Sequence, residues 1–397
     1  MADLLSIAEA QRLILARARP LPAERVALDQ ALGRVVAEPA TAVTDLPPFA
    51  SSAMDGFAVR SAETPGVLRV VERVPAGRPA KGPLGPGEAM GIATGGVVPE
   101  GADAVVPIEV VVERDNSLEV PDAVEAGTHV RPRGGDVRAG DEVAAAGTRL
   151  TPARLGALAA AGVGEIRCAR RPRVAVVPTG TELRRPGEPL AAGEIYEANG
   201  LILVSQLAGA GADAERFTAI GDDEAEHGHA LSRALEADLV ITSGGVSVGP
   251  HDLVRRVEAV LGVEEVFWRV AVKPGKPISF GVRGETLVFG LPGNPVSALV
   301  GFELFVRPAV LALQGVGDPL PRLEPGILAL PLRRNRHRDE LVRARSGVAD
   351  GSVVLEPLTG QESHMIARAA GADALVLVPR GDGELRAGAG VEYLRLE

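Results

Sequence analysis

The segment TSGGVSVGPHD, residues 242–252, carries residue types that suit two kinds of chemistry. Within it, GVSVG matches the G-x-S-x-G elbow of a serine hydrolase, whose serine is a nucleophile. It also matches a glycine loop whose main-chain N–H groups bind an anion where a helix begins. An elbow serine directly follows its strand, but the predicted strand ends before Gly244 and Ser247 lies further on. His251 is too near in sequence for the usual triad histidine, so the pattern favours the anion loop.

Three further loops place polar residues at the ends of predicted strands. Because the carboxyl ends of parallel strands share one edge of a sheet, we expect these loops to lie beside Asp252 and the glycine loop. Carboxylates at a phosphate site are the hard oxygen ligands that Mg²⁺ prefers. One carboxylate alone fits a solvated helix cap equally well, so only the convergence of the loops predicts a metal-assisted anion site. The loops PTGTEL, IGDDEA and GLPGNPVS supply Thr179, Gly180, Glu182, Asp222, Asp223, Asn294 and Ser297.

Lysine is rare in this chain. Of 42 basic residues, only Lys81, Lys273 and Lys276 are lysine, and two of them lie together in VKPGKP. A lysine ammonium is a compact charge with three donors, whereas an arginine guanidinium is a flat fork. The lysine pair therefore predicts a second anion-binding feature at the same sheet edge, with a simple turn as the alternative.

The elements that must position these loops follow from the hydrophobic pattern. From about Pro172, apolar runs such as RVAVVPTG alternate with helical segments such as NGLILVSQLAGAG, and a long helix runs from Pro295 to about Leu313. Strands that alternate with helices predict a parallel sheet with helices on both faces. We assign residues 172–318 to this α/β domain.

The regions on either side of the α/β domain have a different pattern of apolar and turn-forming residues. Residues 1–171 show helical spacing near the start and a second helix that begins at Thr151 and Pro152, which are favoured cap and first-turn residues. Between them, β-rich runs separated by Gly/Pro turns predict an inserted β domain at about 48–135. After a Gly/Pro-rich linker, short β runs predict a small all-β domain over 319–397.

Composition excludes several classes of protein. The chain has 397 residues and a net charge of -10, which argues against a general nucleic-acid binder. The single cysteine, Cys168, excludes an intrachain disulfide and a cysteine-based metal cluster. The N-terminal stretch does not have the basic head of a signal peptide, and no apolar run reaches the ~18 residues of a membrane helix. We expect a cytoplasmic protein.

Nine segments, in order and over nearly the whole chain, resemble the MoeA family of molybdenum-insertion enzymes, which includes the C-terminal domain of gephyrin. The segments are PPFASSAMDGFAVR (47–60), ATGGVVPEGADAVVP (93–107), RPRGGDVRAGDEV (131–143), PTGTEL (178–183), IYEANG (195–200), TSGGVSVGPHD (242–252), VKPGKP (272–277), GLPGNPVSA (290–298) and GQESHM (360–365).

The resemblance implies a fold and a reaction. The fold is an elongated homodimer with a helical linker domain, an inserted β domain, a three-layer α/β/α molybdopterin-binding domain and a C-terminal β-barrel. The reaction is molybdenum cofactor biosynthesis, in which adenylylated molybdopterin and molybdate give molybdenum cofactor and AMP with Mg²⁺. Other proteins of that biosynthesis are possible partners.

The resemblance also assigns roles to single residues. The nucleotide-pterin would be bound by Thr179, Gly180, Gly244, Gly245, Ser247 and Asn294. The essential carboxylates would be Asp55, Asp136, Glu182, Asp222 and Asp252, with Glu182, Asp222 and Asp252 as metal ligands. Asp55, Asp136 and Thr94 would come from the second subunit. The molybdate pocket would consist of Lys273, Lys276, Ser297, Arg343 and Ser363.

Two positions depart from the family pattern, and a third is an alternative to one of the assigned residues. Phe57 stands after SAMDG where tyrosine is common, and Glu362 stands where glycine is common in the last motif. Arg345 lies two residues after Arg343 on the same strand face and could substitute for it.

Three alternative functions remain at this point. A sister enzyme of the pathway adenylylates molybdopterin with a similar α/β domain, but without the flanking motifs. A non-catalytic scaffold homologue is disfavoured by the carboxylates and VKPGKP. A tungstate-inserting paralogue would have the same sequence features, because the two oxyanions are nearly equal in size and charge.

Overall fold

The computed structural model describes residues 4–221, 223–245 and 253–396. Buried apolar residues form separate clusters in the N-terminal, inserted, central and C-terminal parts of the chain. This division follows from length, since a chain of 397 residues exceeds what one hydrophobic core serves. The result is a mixed α/β structure, as the sequence predicts.

The first helix, α1 (Ile7–Leu15), begins with a capping box. Ser6 Oγ accepts a hydrogen bond from Glu9 N at 3.2 Å, and Glu9 Oε2 accepts one from Ser6 N at 2.8 Å. The buried face of α1 joins the core of the central region, where Gln11 Nε2 donates to Leu304 O at 2.9 Å. The N-terminal helix therefore packs on a distant part of the chain.

The linker region and the inserted domain are rich in short strands. In chain order the elements are β1 (Ala23–Ala27), β2 (Ala40–Thr41), β3 (Ser51–Ser52), β4 (Gly56–Val59), β5 (Gly66–Val74), β6 (Glu88–Ile92), β7 (Ala104–Pro107), β8 (Val112–Arg114), β9 (Ser117–Val120), β10 (Val130–Arg131), β11 (Glu142–Ala144), α2 (Pro152–Ala160) and β12 (Glu165–Ala169).

The inserted domain is one six-stranded sheet, in the order β7-β4-β6-β5-β9-β8. In the linker region, β1 pairs with β12 and β2 pairs with β11. Helix α2 packs on these strand pairs and completes a small hydrophobic core. Thr151 caps α2 and Pro152 takes its first turn, which confirms the helix start read from the sequence. Two chain segments far apart in sequence thus close the linker region around the insertion.

The central region is a three-layer α/β/α domain. Its elements are β13 (Arg173–Pro178), β14 (Leu183–Arg184), β15 (Ile195–Tyr196), α3 (Asn199–Gly209), β16 (Asp213–Arg216), α4 (Glu224–Ala234), β17 (Leu239–Ser243), α5 (Leu253–Val260), β18 (Glu264–Trp268), β19 (Val272–Lys273), β20 (Ser279–Arg283), β21 (Thr286–Leu291), α6 (Pro295–Gly301), a π turn (Phe302–Val306) and α7 (Arg307–Leu313).

The strand residues of this sheet alternate between two apolar faces. Val174 and Val176 of β13 pack with α3 and the helices after β21, whereas Ala175 and Val177 pack with α4 and α5. Such alternation arises because successive side chains of a strand point to opposite faces. Helices therefore cover both faces of the sheet, and a ligand can reach it only at the ends of the strands.

One strand corrects the prediction of a wholly parallel sheet. The order is β16-β13-β17-β21-β20-β18, and β20 runs antiparallel to both of its neighbours. The link between β20 and β21 is only Gly284 and Glu285, with Gly284 at φ +59°. A two-residue connection forms a hairpin and must reverse the chain, whereas a parallel neighbour needs a long crossover.

The sequence predicts no apolar segment as long as a membrane helix, but the helix after β21 reaches that length. Within the described residues, Pro295–Leu313 is 19 residues long and apolar enough to cross a membrane by length and composition. Its apolar window is 78% buried inside the protein. The helix thus lies in the core of the α/β domain.

The C-terminal region closes into a five-stranded barrel. Its elements are β22 (Leu323–Leu328), β23 (Leu332–Arg333), β24 (Asp339–Ala349), β25 (Ser352–Pro357), α8 (Ile366–Ala369), β26 (Ala374–Val378), β27 (Glu384–Leu385) and β28 (Gly390–Arg395).

Closure comes from one strand pair. The order β24-β25-β22-β28-β26 returns to its start because β24 also pairs with β26. The barrel joins the α/β domain through β19, which pairs with the first residues of β24. The segment VKPGKP therefore lies at the junction of these two regions.

Candidate active site

One cavity of about 670 Å³ lies at the carboxyl ends of the α/β strands. Its size is in the range of small-molecule sites, ~300–1,000 Å³. Six of the residues predicted from the sequence line it, namely Thr179, Gly180, Glu182, Gly244, Gly245 and Asn294. Three of the four loops that the sequence predicts at one rim are therefore together, whereas Asp223, from the fourth loop, caps α4 by accepting a hydrogen bond from Glu226 N at 2.9 Å and does not line the cavity.

The rim is tight because main chains approach each other closely. Gly244 has φ +101°, and a Cβ atom there would stand 2.5 Å from Thr179 O. A Cβ atom at Gly293 would stand 3.6 Å from Gly244 Cα. Glycine is required at 244 by both its conformation and the space available.

Strand pairing already uses several main-chain donors of this rim. Thr179 N donates to Ser243 O at 2.9 Å, Gly180 N donates to Ile220 O at 2.9 Å, and Gly244 N donates to Leu291 O at 3.1 Å. These three N–H groups are therefore not available to a bound anion. Thr179, Gly180 and Gly244 instead shape the cavity.

The sequence reasoning missed Asn199, which ties the rim together. Asn199 is buried, and its Nδ2 donates to Ser243 Oγ at 2.9 Å and to Gly293 O at 2.7 Å. It thereby links the start of α3 to the ends of β17 and β21. Its position in IYEANG could have indicated a role for Asn199, but this segment served only to identify the family resemblance.

A buried histidine also lines the cavity without having been predicted. His227 Nε2 lies 2.8 Å from Gly221 O, which fixes the ring, while its buried Nδ1 atom has no hydrogen-bond partner among the described residues. Its helical spacing on α4 is that of a core residue, so the sequence carried no separate signal for it.

The predicted metal ligands are only partly within the described residues. Glu182 is exposed at the cavity, and its carboxylate lies over Gly180, with Oε2 and Oε1 at 2.6 and 2.8 Å from the place of a Cβ atom there. Asp222, Asp252 and Ser247 lie outside the described residues. Across residues 4–221, 223–245 and 253–396, no three histidine, cysteine or carboxylate side chains form a metal-binding group. Glu182 supplies one oxygen donor of the kind that Mg²⁺ takes.

The residues predicted to bind molybdate gather where the barrel meets the α/β domain. Lys273 Nζ forms an ion pair with Glu340 Oε1 at 2.8 Å, whereas Lys276 is exposed and has no ion pair among the described residues. Ser297 is buried near the start of α6, and Ser363 O accepts a hydrogen bond from Val296 N at 3.0 Å. The two lysines thus differ in availability.

Arg343 does not face an open pocket. It is 2% exposed, and its Nη atoms donate to the main-chain oxygens of Gly360, Glu362 and Met365 at 2.9, 3.2 and 3.0 Å. Burial lowers the pKa of the Arg343 guanidinium from its ordinary value. In this geometry Arg343 holds the loop that carries Ser363.

Arg345, the alternative candidate, is exposed. Glu362 takes part in the loop through its main-chain oxygen, which accepts from Arg343, and its own side chain is exposed. Glutamate at this position is therefore compatible with the loop.

The residues that the resemblance assigns to the second subunit do not line the cavity formed by the described residues of the same chain. Thr94 N donates to Asp55 Oδ1 at 2.8 Å, so the SAMDG and ATGG segments meet as one feature. Asp136 is exposed, and its N donates to Leu46 O at 2.9 Å. Phe57 is fully buried in the domain core, so the departure from tyrosine there removes no contact with the cavity.

Comparison with known proteins gives the family. Residues 5–162 match the MoeA N-terminal region (domain I and II), residues 175–312 match a probable molybdopterin binding domain, and residues 325–396 match the MoeA C-terminal region (domain IV). These three matches follow the order of the regions described above.

Relatives and solved structures agree with these matches. The chain is 38% identical to molybdopterin molybdenumtransferase 2 of Mycobacterium tuberculosis, over 96% of this chain and 97% of that protein. It is 34% identical to molybdopterin molybdenumtransferase of Haemophilus influenzae, over 93% of each chain. The crystal structure of the molybdopterin biosynthesis moeA protein of Pyrococcus horikoshii OT3 superposes with a TM-score of 0.86 and 28% identity, over 99% of this chain and 100% of that one. The chain therefore belongs to the MoeA family and is a molybdenumtransferase of molybdenum cofactor biosynthesis.

Proposed function

We propose that this enzyme inserts molybdate into adenylylated molybdopterin and releases AMP. The observation that carries the proposal is the cavity at the strand ends, where loops predicted to bind a nucleotide-pterin converge within reach of the lysine-bearing junction. Pro277 of VKPGKP and His364 of GQESHM both line that cavity. A substrate in the cavity would therefore border the segments expected to hold the oxyanion.

The junction has chemistry that suits molybdate as a substrate. Molybdate is a tetrahedral dianion, and charge-assisted hydrogen bonds from ammonium groups and hydroxyls bind such an ion well. Lys276 is exposed without an ion pair in the described structure, so its charge is available. We propose that Lys273, Ser297 and Ser363 complete this pocket, with Arg343 behind the loop.

The carboxylates suit a magnesium-dependent cleavage of the phosphoanhydride. Glu182, with Asp222 and Asp252, would hold Mg²⁺, which stabilises the negative charge that develops as AMP leaves. Glu182 is an exposed carboxylate at the cavity, so its oxygens are accessible to the cation. We propose that Asp252 binds the metal or orients the attacking water.

We also propose that the enzyme is a cytoplasmic homodimer. Asp55, Thr94 and Asp136 are exposed and do not line the cavity formed by the described residues of their own chain. A second subunit that brings the paired Asp55 and Thr94 to this cavity would complete the site.

The test is AMP release from adenylylated molybdopterin with purified enzyme and Mg²⁺, with molybdate titrated against tungstate. We expect release that depends on molybdate and stops when the divalent cation is chelated. Lys276→Ala should raise the half-saturating molybdate concentration and leave binding of the nucleotide-pterin intact. Asp252→Asn should keep the dimer and abolish most of the release.

The same assay separates the alternatives. Consumption of ATP with free molybdopterin would identify an adenylyltransferase and refute the insertion reaction. Tight binding of the nucleotide-pterin without release on either oxyanion would identify a binding protein. Release driven equally by tungstate would leave the choice of metal to cellular supply.

A further inference from the structure

Tyr196 is an exposed aromatic side chain on the wall of the active-site cavity. The chain has only two tyrosines and one tryptophan among its 397 residues. The other tyrosine, Tyr393, is fully buried in the barrel, whereas Tyr196 is 46% exposed and lines the cavity. A large ring that contributes little to any core stands where a ligand would bind.

The ring is held in place from both ends. Its main chain belongs to β15, which pairs with β14, and its hydroxyl donates to Glu188 O at 2.9 Å. Directly after it, Glu197 is buried and ion-paired with Arg216, and Asn199 is fixed by its hydrogen bonds to the rim. Tyr196 is therefore a pre-positioned aromatic surface, which loses little rotamer freedom when a ligand binds.

The cavity wall near Tyr196 has both apolar and polar parts. Leu183 and the 54% exposed Ile195 line the cavity and pair with each other across β14 and β15, whereas Tyr196 pairs with Arg184 and lies on the other face of these two strands. Thr179 and Gly180 line the same cavity and belong to the same loop segment as Leu183. A ligand that joins a phosphate to a flat ring would match this division.

We propose that Tyr196 binds a fused nitrogen heterocycle of the substrate by stacking against it. The inference rests on the proposed function, because the adenylylated pterin has two such heterocycles joined through phosphates. Stacking needs only a π face, so adenine and pterin have the same chemistry in this respect. The tyrosine is a binding residue for the substrate ring and not for the oxyanion.

The test measures the binding of three probes by calorimetry, namely AMP, free molybdopterin and ribose 5-phosphate. Removal of a stacking side chain costs ~1–3 kcal/mol per base, so Tyr196→Ala should weaken binding of the stacked compound about 5-fold to 100-fold. Tyr196→Phe keeps the ring and should retain most of that affinity. Ribose 5-phosphate has no base, so its binding should not change in any variant.

Leu190→Ala is the matched control. Leu190 is 42% exposed on the connection between β14 and β15 and is not among the described residues that line the cavity, so its removal should leave all three affinities unchanged. Weakening of AMP alone would assign adenine to Tyr196, and weakening of molybdopterin alone would assign the pterin. Tyr196→Leu, which keeps bulk without a π face, should behave as the alanine variant does.

Three results would overturn the inference. If Tyr196→Ala binds AMP and molybdopterin as the unmodified enzyme does, stacking is wrong while the proposed function stands. If Tyr196→Ala weakens ribose 5-phosphate as much as AMP, the tyrosine merely supports the cavity. Failure of the unmodified enzyme to bind either heterocycle would instead refute the proposed function and the stacking with it.

Discussion

Arg343→Met should loosen the loop that carries Ser363 without unfolding the barrel. The guanidinium donates to the main-chain oxygens of Gly360, Glu362 and Met365 at 2.9–3.2 Å. Methionine keeps much of the buried stem of the side chain but has no donor. All three oxygens then lose the guanidinium as a donor. Glu362 O and Met365 O still accept from Met365 N and Ala369 N, whereas Gly360 O has no other protein donor among the described residues.

The magnitude follows from those three bonds. The loop residues are partly exposed, so we take about 1 kcal/mol for each hydrogen bond, which gives about 3 kcal/mol in total. That free energy corresponds to a change of about 100-fold in the equilibrium for local opening. The amides of Met365 and Ala369 report this opening, because they donate to Glu362 O and Met365 O within the same segment.

Hydrogen exchange followed by mass spectrometry is the assay, since it resolves opening of single segments in a multidomain protein. Peptides that cover residues 365–370 should exchange about 100-fold faster in Arg343→Met. Arg345→Met is the matched control, because Arg345 is exposed and surface substitutions change stability by only about 0.5 kcal/mol. The half-saturating molybdate concentration should rise in the Arg343 variant alone.

Three outcomes would refute this reasoning. Unchanged exchange in Arg343→Met would mean that the loop is held by other contacts. Equal acceleration in both variants would mean that the strand, and not the guanidinium, determines the stability of the loop. A higher molybdate requirement with unchanged exchange would return Arg343 to direct contact with the oxyanion.

Two further predictions concern stability. Hydrogen bonds from Arg395 and Tyr393 lower the pKa of Glu324 from 4.5 to about 2, so the stabilisation is present above pH 4.5 and is lost as the pH falls through about 2. The difference in urea midpoint between the unmodified enzyme and Glu324→Gln should therefore shrink over that range; a constant difference would contradict the assignment. Gly56→Ala would place a Cβ atom 2.0 Å from Val106 O and should destabilise the inserted domain by about 2–3 kcal/mol in denaturant unfolding. Gly82→Ala, where no atom lies within 4 Å, is the control, and equal losses in both variants would refute the steric argument.

Local patterns in the sequence determined the elements and the rim of the cavity. The apolar alternation of β13 follows from the two-residue period of a strand, and Thr151–Pro152 marks a helix start through donor chemistry that needs no tertiary contact. Because parallel strands bring their carboxyl ends to one edge, Thr179, Gly244 and Asn294 could be placed together before any coordinates.

The tertiary structure decided what depends on neighbours distant in sequence. The reversed β20 required recognition of a two-residue hairpin inside an α/β pattern, and closure of the barrel required the pairing of β24 with β26. Asn199 stands in a segment that the sequence singled out, but only the fold brings Ser243 and Gly293 to its amide.

Arg343 and Lys273, at the junction of the barrel and the α/β domain, also have partners that the sequence alone did not predict. The family resemblance assigned Arg343 and Lys273 to one oxyanion pocket. The fold turns Arg343 inward to loop oxygens and sets Glu340 beside Lys273. A residue type fixes which charge is present, whereas the partner of this charge is fixed by tertiary packing, within the barrel for Arg343 and between the α/β domain and the barrel for Lys273.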